Sequence, residues 1–330
     1  MQKNAKPAVQ ERSDIAKNGF IPFLLAAICM LITLLATLID KFIYNFGADM
    51  LSPALGQIII LLIPIYLCLL LLAPEKSMKD HLKAMGIGRL RAEYVFFIIF
   101  AAMFTVTGAL LLNLLCGGVY SSAEGFTVLA AFTAGESEYA VNYPYLIIVY
   151  VLIPAILEEI LLRGVILSRL TKIGVPVAII FSSLISALFT FTLGGLPAAI
   201  FCALTYCFVL LTTRALQACM IVHLVYNLYA LLIGTNVSAY YLSSQNNTLL
   251  ILIVVGALLI SASLFFTESA RIYRDKAVRI KEGKEEPTLP AFTFKKLWRD
   301  TVLLFSFRPT LICAVATAIL YTAIMVVCMI

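Results

Sequence analysis

Charged side chains are scarce in this chain. Asp, Glu, Lys and Arg make up 13% of 330 residues, about half the ~25% typical of a soluble domain. That scarcity excludes an ordinary water-soluble globule. Strict alternation of polar and apolar residues is also scarce, which excludes a membrane β-barrel, and no internal repeat or low-complexity tract is present. Histidine occurs twice, as His81 and His223. The eight cysteines (Cys29, Cys68, Cys116, Cys202, Cys207, Cys219, Cys313 and Cys328) form no CxxC pair and lie almost entirely within apolar runs. This argues against a disulfide framework or a cysteine metal cluster and makes them small core residues. His81, in the basic stretch KDHLKAMG, reads as a solvated loop residue.

What the chain has in abundance is apolar length. Hydrophobic residues reach 62% and the mean hydropathy is +1.01. Nine apolar runs approach or exceed the ~20 residues that a helix needs to cross a bilayer. They lie near 20–40, 54–73, 94–115, 145–167, 175–193, 196–213, 215–233, 248–267 and 309–330. The expected fold is an all-α polytopic transmembrane bundle of about 8–9 spans. Lys and Arg gather in alternate connections: the N-terminal tail, 74–91, 168–174, Arg214 and 268–300. The intervening stretches 116–144 and 234–247 carry none. The positive-inside rule therefore places the N-terminus in the cytoplasm. The first run is too long for a signal-peptide core and lacks a cleavage site, so it reads as an uncleaved helix.

The net charge of +6 follows from the same bias and implies no nucleic-acid partner. Four segments result: a basic cytoplasmic tail (1–19), N-terminal helices with an outer loop (20–144), core helices (145–233) and C-terminal helices (234–330). The last includes a basic cytoplasmic loop, 268–300, suited to anionic lipid. In the outer loop, the semi-apolar GFTVLAAF suggests a lid lying on the membrane.

Within the apolar runs few polar groups remain. Glu158, Glu159 and Arg163 lie in the fourth, and His223 with Asn227 in the seventh. A charge at such depth costs several kcal/mol unless it faces a protein interior with a partner. Residues four apart share a helix face, so Glu159 can pair with Arg163, and His223 lies beside Asn227. Glu158 is turned away by about 100°. Counted from the opposite ends of their spans, Glu158 lies ~10 Å and His223 ~12 Å from the cytoplasmic edge. A carboxylate so placed can take a proton from water, while an imidazole and an amide can hold a carbonyl oxygen as it gains charge. That is metal-free hydrolysis of an amide bond. A zinc site would need a third good ligand, and none is apparent. A structural alternative stands beside it: Glu159 and Arg163 as a snorkelling helix-end pair, and His223 as an interhelical hydrogen-bonding group.

The motif Glu158-Glu159-Ile-Leu-Leu-Arg163, followed by Gly164, resembles the EExxxR motif of the CAAX protease and bacteriocin-processing (CPBP, Abi) family of intramembrane glutamic endopeptidases. His223-Leu-Val-Tyr-Asn227 resembles its HxxxN motif. The resemblance covers about 145–233. It implies Glu158 as the catalytic base, His223 and Asn227 as oxyanion donors, and Glu159 with Arg163 as a supporting pair. It implies no cofactor. The family's intermediate FxxxH motif is where this chain departs: within AIIFSSLISALFTF (178–191), Thr190 occupies the histidine position. A hydroxyl orients water but does not accept a proton near neutral pH.

Three functions follow. The first is an endopeptidase acting on a membrane-associated or lipidated peptide. The second is a catalytically impaired member that binds a membrane protein partner, as an immunity-type protein would. The third is a transporter, against which stands the lack of inverted repeats with broken helices. In a bacterium the membrane would be the plasma membrane.

Overall fold

The computed structural model describes residues 5–42, 58–67, 86–88, 90–116, 143–190, 193–244, 246–283 and 293–329. Eleven helical runs are labelled here among those residues: α1 (Ala5–Phe42), α2 (Ile58–Leu67), α3 (Val95–Cys116, entered through a 3₁₀ turn at Ala92–Tyr94), α4 (143–170), α5 (Val175–Ala187), α6 (Leu196–Thr213), α7 (Leu216–Tyr229), α8 (Thr235–Ser243), α9 (Thr248–Lys281), α10 (Phe294–Ser306) and α11 (Arg308–Met329). No strand occurs among the described residues. The all-α polytopic fold expected from hydropathy is present.

Seven helices among the described residues are long and apolar enough to cross a membrane: Asn18–Ile39, Ala92–Cys116, Pro144–Leu170, Leu196–Thr213, Leu216–Gly234, Thr248–Lys281 and Arg308–Val327. The two remaining apolar runs contain the shorter helices Ile58–Leu67 and Val175–Thr190. The proposed lid GFTVLAAF and His81 lie outside the described residues.

One expectation is corrected. The basic connection 268–300, read as a loop, is helical through Lys281 and again from Phe294. Its charges suit a solvated helix as well as a loop, and only the drop in hydropathy was visible. The basic tail is likewise helical from Ala5.

The chain forms two compact units. The first comprises residues 1–86, 157–185 and 289–330, and the second 87–156 and 186–288. In the first, α1 packs along α11. Phe23, Phe181 and Phe305 meet edge to face, with ring centroids 5.2–5.9 Å apart.

In the second, α3 packs against α6, α7 and α9. Phe97, Phe104, Phe208 and Phe265 cluster at its centre, Phe265 stacking on Phe97 and on Phe104 (5.0 Å, nearly parallel) and meeting Phe208 edge to face. Lipid tails are as apolar as these rings, so close packing rather than water exclusion favours their association. Where two helices must approach, hydroxyls bridge them: Thr107 Oγ1 and Ser261 Oγ are 2.8 Å apart. At one end of this unit Arg279 donates to the Glu93 carboxylate (2.8 Å), Arg271 donates to the Glu93 carbonyl, and buried Lys276 donates to the carbonyl of Thr212.

Gly108 is where α3 admits α6. A Cβ there would come within 2.3 Å of the Phe201 ring, which packs edge to face on Phe104. Gly108→Leu is expected to destabilise the protein by about 1–3 kcal/mol through overpacking. Adding Phe201→Ala should recover part of the loss, both read from unfolding transitions in detergent.

Candidate active site

α4 is an interrupted helix, and its interruptions have identifiable sources. Its first wide, π-type turn, Ile148–Leu152, ends two residues before Pro154. Proline has no N–H to donate to the carbonyl four residues back, and its ring crowds that carbonyl, so the preceding turn opens. A regular stretch, Ile153–Glu159, carries Glu158 and Glu159. A second π-type stretch, Ile160–Leu167, carries Arg163 and Gly164. Side-chain hydroxyls take up carbonyls in this stretch. Ser182 of α5 donates to Leu162 (3.3 Å), and Ser168 donates to Val165 (2.9 Å). Such wide turns recur at functional sites because they re-aim side chains.

Glu159 and Arg163 form an ion pair, Oε1 to Nη1 at 3.1 Å, as their four-residue spacing anticipates. Their side chains are 0% and 1% exposed. They therefore do not snorkel to an interface: the charged heads lie within packed protein. Glu158 is half-buried on a different face. All three belong to the first unit.

Thr190, His223 and Asn227 belong to the second unit. Thr190 ends the 3₁₀ turn that closes α5. It is exposed, and its hydroxyl donates to the carbonyl of Ala187 (2.8 Å). His223 is buried on α7 with Asn227, half-buried, one turn further along. The imidazole stacks on the ring of Tyr206, centroids 5.0 Å apart and planes inclined by 24°.

Sequence reasoning missed Tyr206. The signal was present, however: α6 and α7 are joined by only Arg214 and Ala215, with Arg214 in the left-handed region (φ 54°). Tyr206 lies seven residues before Thr213 and His223 seven after Leu216. A tight antiparallel hairpin brings such positions opposite each other. The stack fixes the imidazole's plane, and Cys219 Sγ, 3.2 Å from the Tyr206 carbonyl, adds a second link across the hairpin.

Seven apolar helices of spanning length among the described residues mark an integral membrane protein. More particularly, residues 140–229 match the family model described as Type II CAAX prenyl endopeptidase Rce1-like. Over that stretch, about a quarter of its length, the chain is similar to CAAX-protease-like domains. The resemblance read from the two motifs is thus borne out, with nearly the same limits. No curated protein and no solved structure matches the chain.

Removing either partner of the sealed ion pair strips a buried charge of its neighbour, a change that typically costs about 3–5 kcal/mol. Glu159→Gln and Arg163→Met should each destabilise by that order. The double variant Glu159→Gln/Arg163→Met should lose less than the two single losses combined, as measured by a double-mutant cycle in detergent.

Proposed function

We propose that the protein is an intramembrane endopeptidase of CAAX-protease type, cleaving an amide bond in a membrane-associated or lipidated peptide. One observation carries the reading. The family match at 140–229 encloses both Glu158-Glu159-Ile-Leu-Leu-Arg163 and His223-Leu-Val-Tyr-Asn227, in the order that this chemistry uses.

In this reading Glu158 is the base. It takes a proton from water, and the hydroxide adds to the substrate carbonyl carbon. His223 and Asn227 donate to the oxyanion so formed. Collapse of the tetrahedral intermediate breaks the C–N bond, and the proton held by Glu158 passes to the leaving nitrogen. The water oxygen remains in the new carboxyl group, so no metal or covalent intermediate enters. The stack on Tyr206 supports His223's part, since an oxyanion donor is effective only when it is already oriented. Glu159 and Arg163 position Glu158 by anchoring the helical turn that bears it.

One observation favours a second reading, a family member that binds without cleaving. Thr190 stands at the position of the family's histidine, and its hydroxyl is spent on the Ala187 carbonyl. It can neither accept a proton near neutral pH nor, so bonded, donate to water.

Purified full-length protein, offered a panel of membrane-anchored and lipidated peptides, separates the two by mass spectrometry of the products. The endopeptidase reading expects cleavage by the wild type and a fall in kcat/KM of at least ~100-fold in Glu158→Gln, the lower range for a general base. Unchanged cleavage by Glu158→Gln would remove Glu158 from the chemistry. An inert wild type that gains activity on Thr190→His would establish the binding reading.

A further inference from the structure

α10 is not long or apolar enough to span, yet it carries a row of exposed large apolar side chains. Phe294 is 74% exposed, Trp298 67% and Val302 52%. Their four-residue spacing places them along one arc of about 80°. The next sector, at about 100–200°, holds Lys295, Arg299 and Lys296. The opposite side, at about 240–300°, holds Asp300, Leu304 and Leu297, and the first two of these are buried in the first unit. Three arcs of different chemistry therefore divide one helix: a docked side, an exposed apolar arc and a basic arc.

The elements that α10 touches give its level relative to the membrane. Leu304 sits against Gly19, where an added Cβ would come within 2.6 Å of it. Gly19 lies one residue into the apolar span Asn18–Ile39. Asp300 sits against Gly174, where an added Cβ would meet its carboxylate at 2.4 Å. Gly174 lies just beyond the end of the span Pro144–Leu170. At its own C-terminus, Phe307 is extended (φ −83°, ψ 107°) and breaks the helix directly before the span Arg308–Val327. Three apolar spans thus begin or end, within the first unit, where α10 packs. Once those spans cross a bilayer, this level is its boundary with water.

We infer that α10 is an interfacial anchor: its Phe294–Trp298–Val302 arc is seated among the acyl chains, and its basic arc meets anionic lipid headgroups. The charges fit this occupant. The one acid of the helix, Asp300, is buried and bonded by Arg299 (3.1 Å), while exposed Lys295, half-buried Lys296 and exposed Arg308 face outward at the same level. An aromatic and aliphatic arc beside a basic arc is the pattern of helices that lie in the interface plane. Tryptophan favours that depth because its ring is amphipathic. The basic sector assigns the helix to the anionic cytoplasmic leaflet. The inference is independent of whether the protein cleaves peptides.

Trp298 is the only tryptophan in the chain, so intrinsic fluorescence of the unlabelled full-length protein reports on this helix alone. Reconstituted into vesicles, Trp298 should be quenched more by phosphatidylcholine brominated near the head of the acyl chain than by the same lipid brominated near its methyl end. It should be largely protected from aqueous iodide. Full access to iodide without quenching by either bromolipid would overturn the proposal and leave the arc to water or to another protein.

Energy transfer from Trp298 tests the headgroup preference. Transfer should favour dansyl-labelled phosphatidylglycerol over dansyl-phosphatidylcholine, with a local enrichment of at least about fivefold, the equivalent of the about 1 kcal/mol that a single basic side chain contributes. Lys295→Gln/Lys296→Gln should bring the two lipids close to parity. Equal transfer in the wild type would refute the anionic preference.

Discussion

Hydrocarbon offers no water to take up a stray polar group, and each one left alone in it costs several kcal/mol. That constraint runs through the whole structure. It restricts the described chain to helices, whose backbone groups are satisfied internally. It also explains how the hydroxyls behave. Thr33, Thr105, Thr205, Thr213, Ser269 and Thr317 each donate to the carbonyl four residues earlier in their own helix. The Glu159–Arg163 pair satisfies the same constraint with charges. A buried pair is weak grounds for added stability, since desolvating both ions offsets their attraction. Its presence inside packed protein fits the supporting role proposed for it beside Glu158.

Much of this was legible in the sequence because it depends on local spacing. Hydropathy located every helical run long enough to span, since ~20 apolar residues are a physical length before they are a pattern. The Glu159–Arg163 contact followed from a separation of four. The two motifs, taken in order, carried a family resemblance over a stretch that the family model also matches.

What escaped depends on contacts between distant residues or on departures from regular geometry. The wide turns of α4 leave no trace in an apolar run, where periodicity cannot tell a 3.6-residue turn from a wider one. Pro154 was the available clue for the first of them. Tyr206 was invisible because its meaning comes from a hairpin turn of two residues. The interleaving of the chain between two units reflects tertiary packing and has no local signature. α10 was hidden inside a stretch judged by its charge alone, where the apolar arc is interspersed with lysines and reads as a solvated loop until it is wound into a helix.

Glycines mark two of the tightest approaches in the fold, for one reason. At Gly19 and Gly174 the first unit brings α10 so close that any side chain would collide with Leu304 or Asp300. A helix held this closely cannot drift from the level of the neighbouring span ends. The depth of its exposed arc is therefore set by protein packing and not by lipid alone.

The hairpin of α6 and α7 has a consequence for biosynthesis. Its two helices are joined by Arg214 and Ala215 alone, so they contact each other over short loops of chain, the kind of contact that forms early. Such a hairpin can pass from the translocation machinery into lipid as a preassembled couple. His223 would then enter the bilayer already covered by Tyr206, and the most polar ring of the domain need never meet bare hydrocarbon.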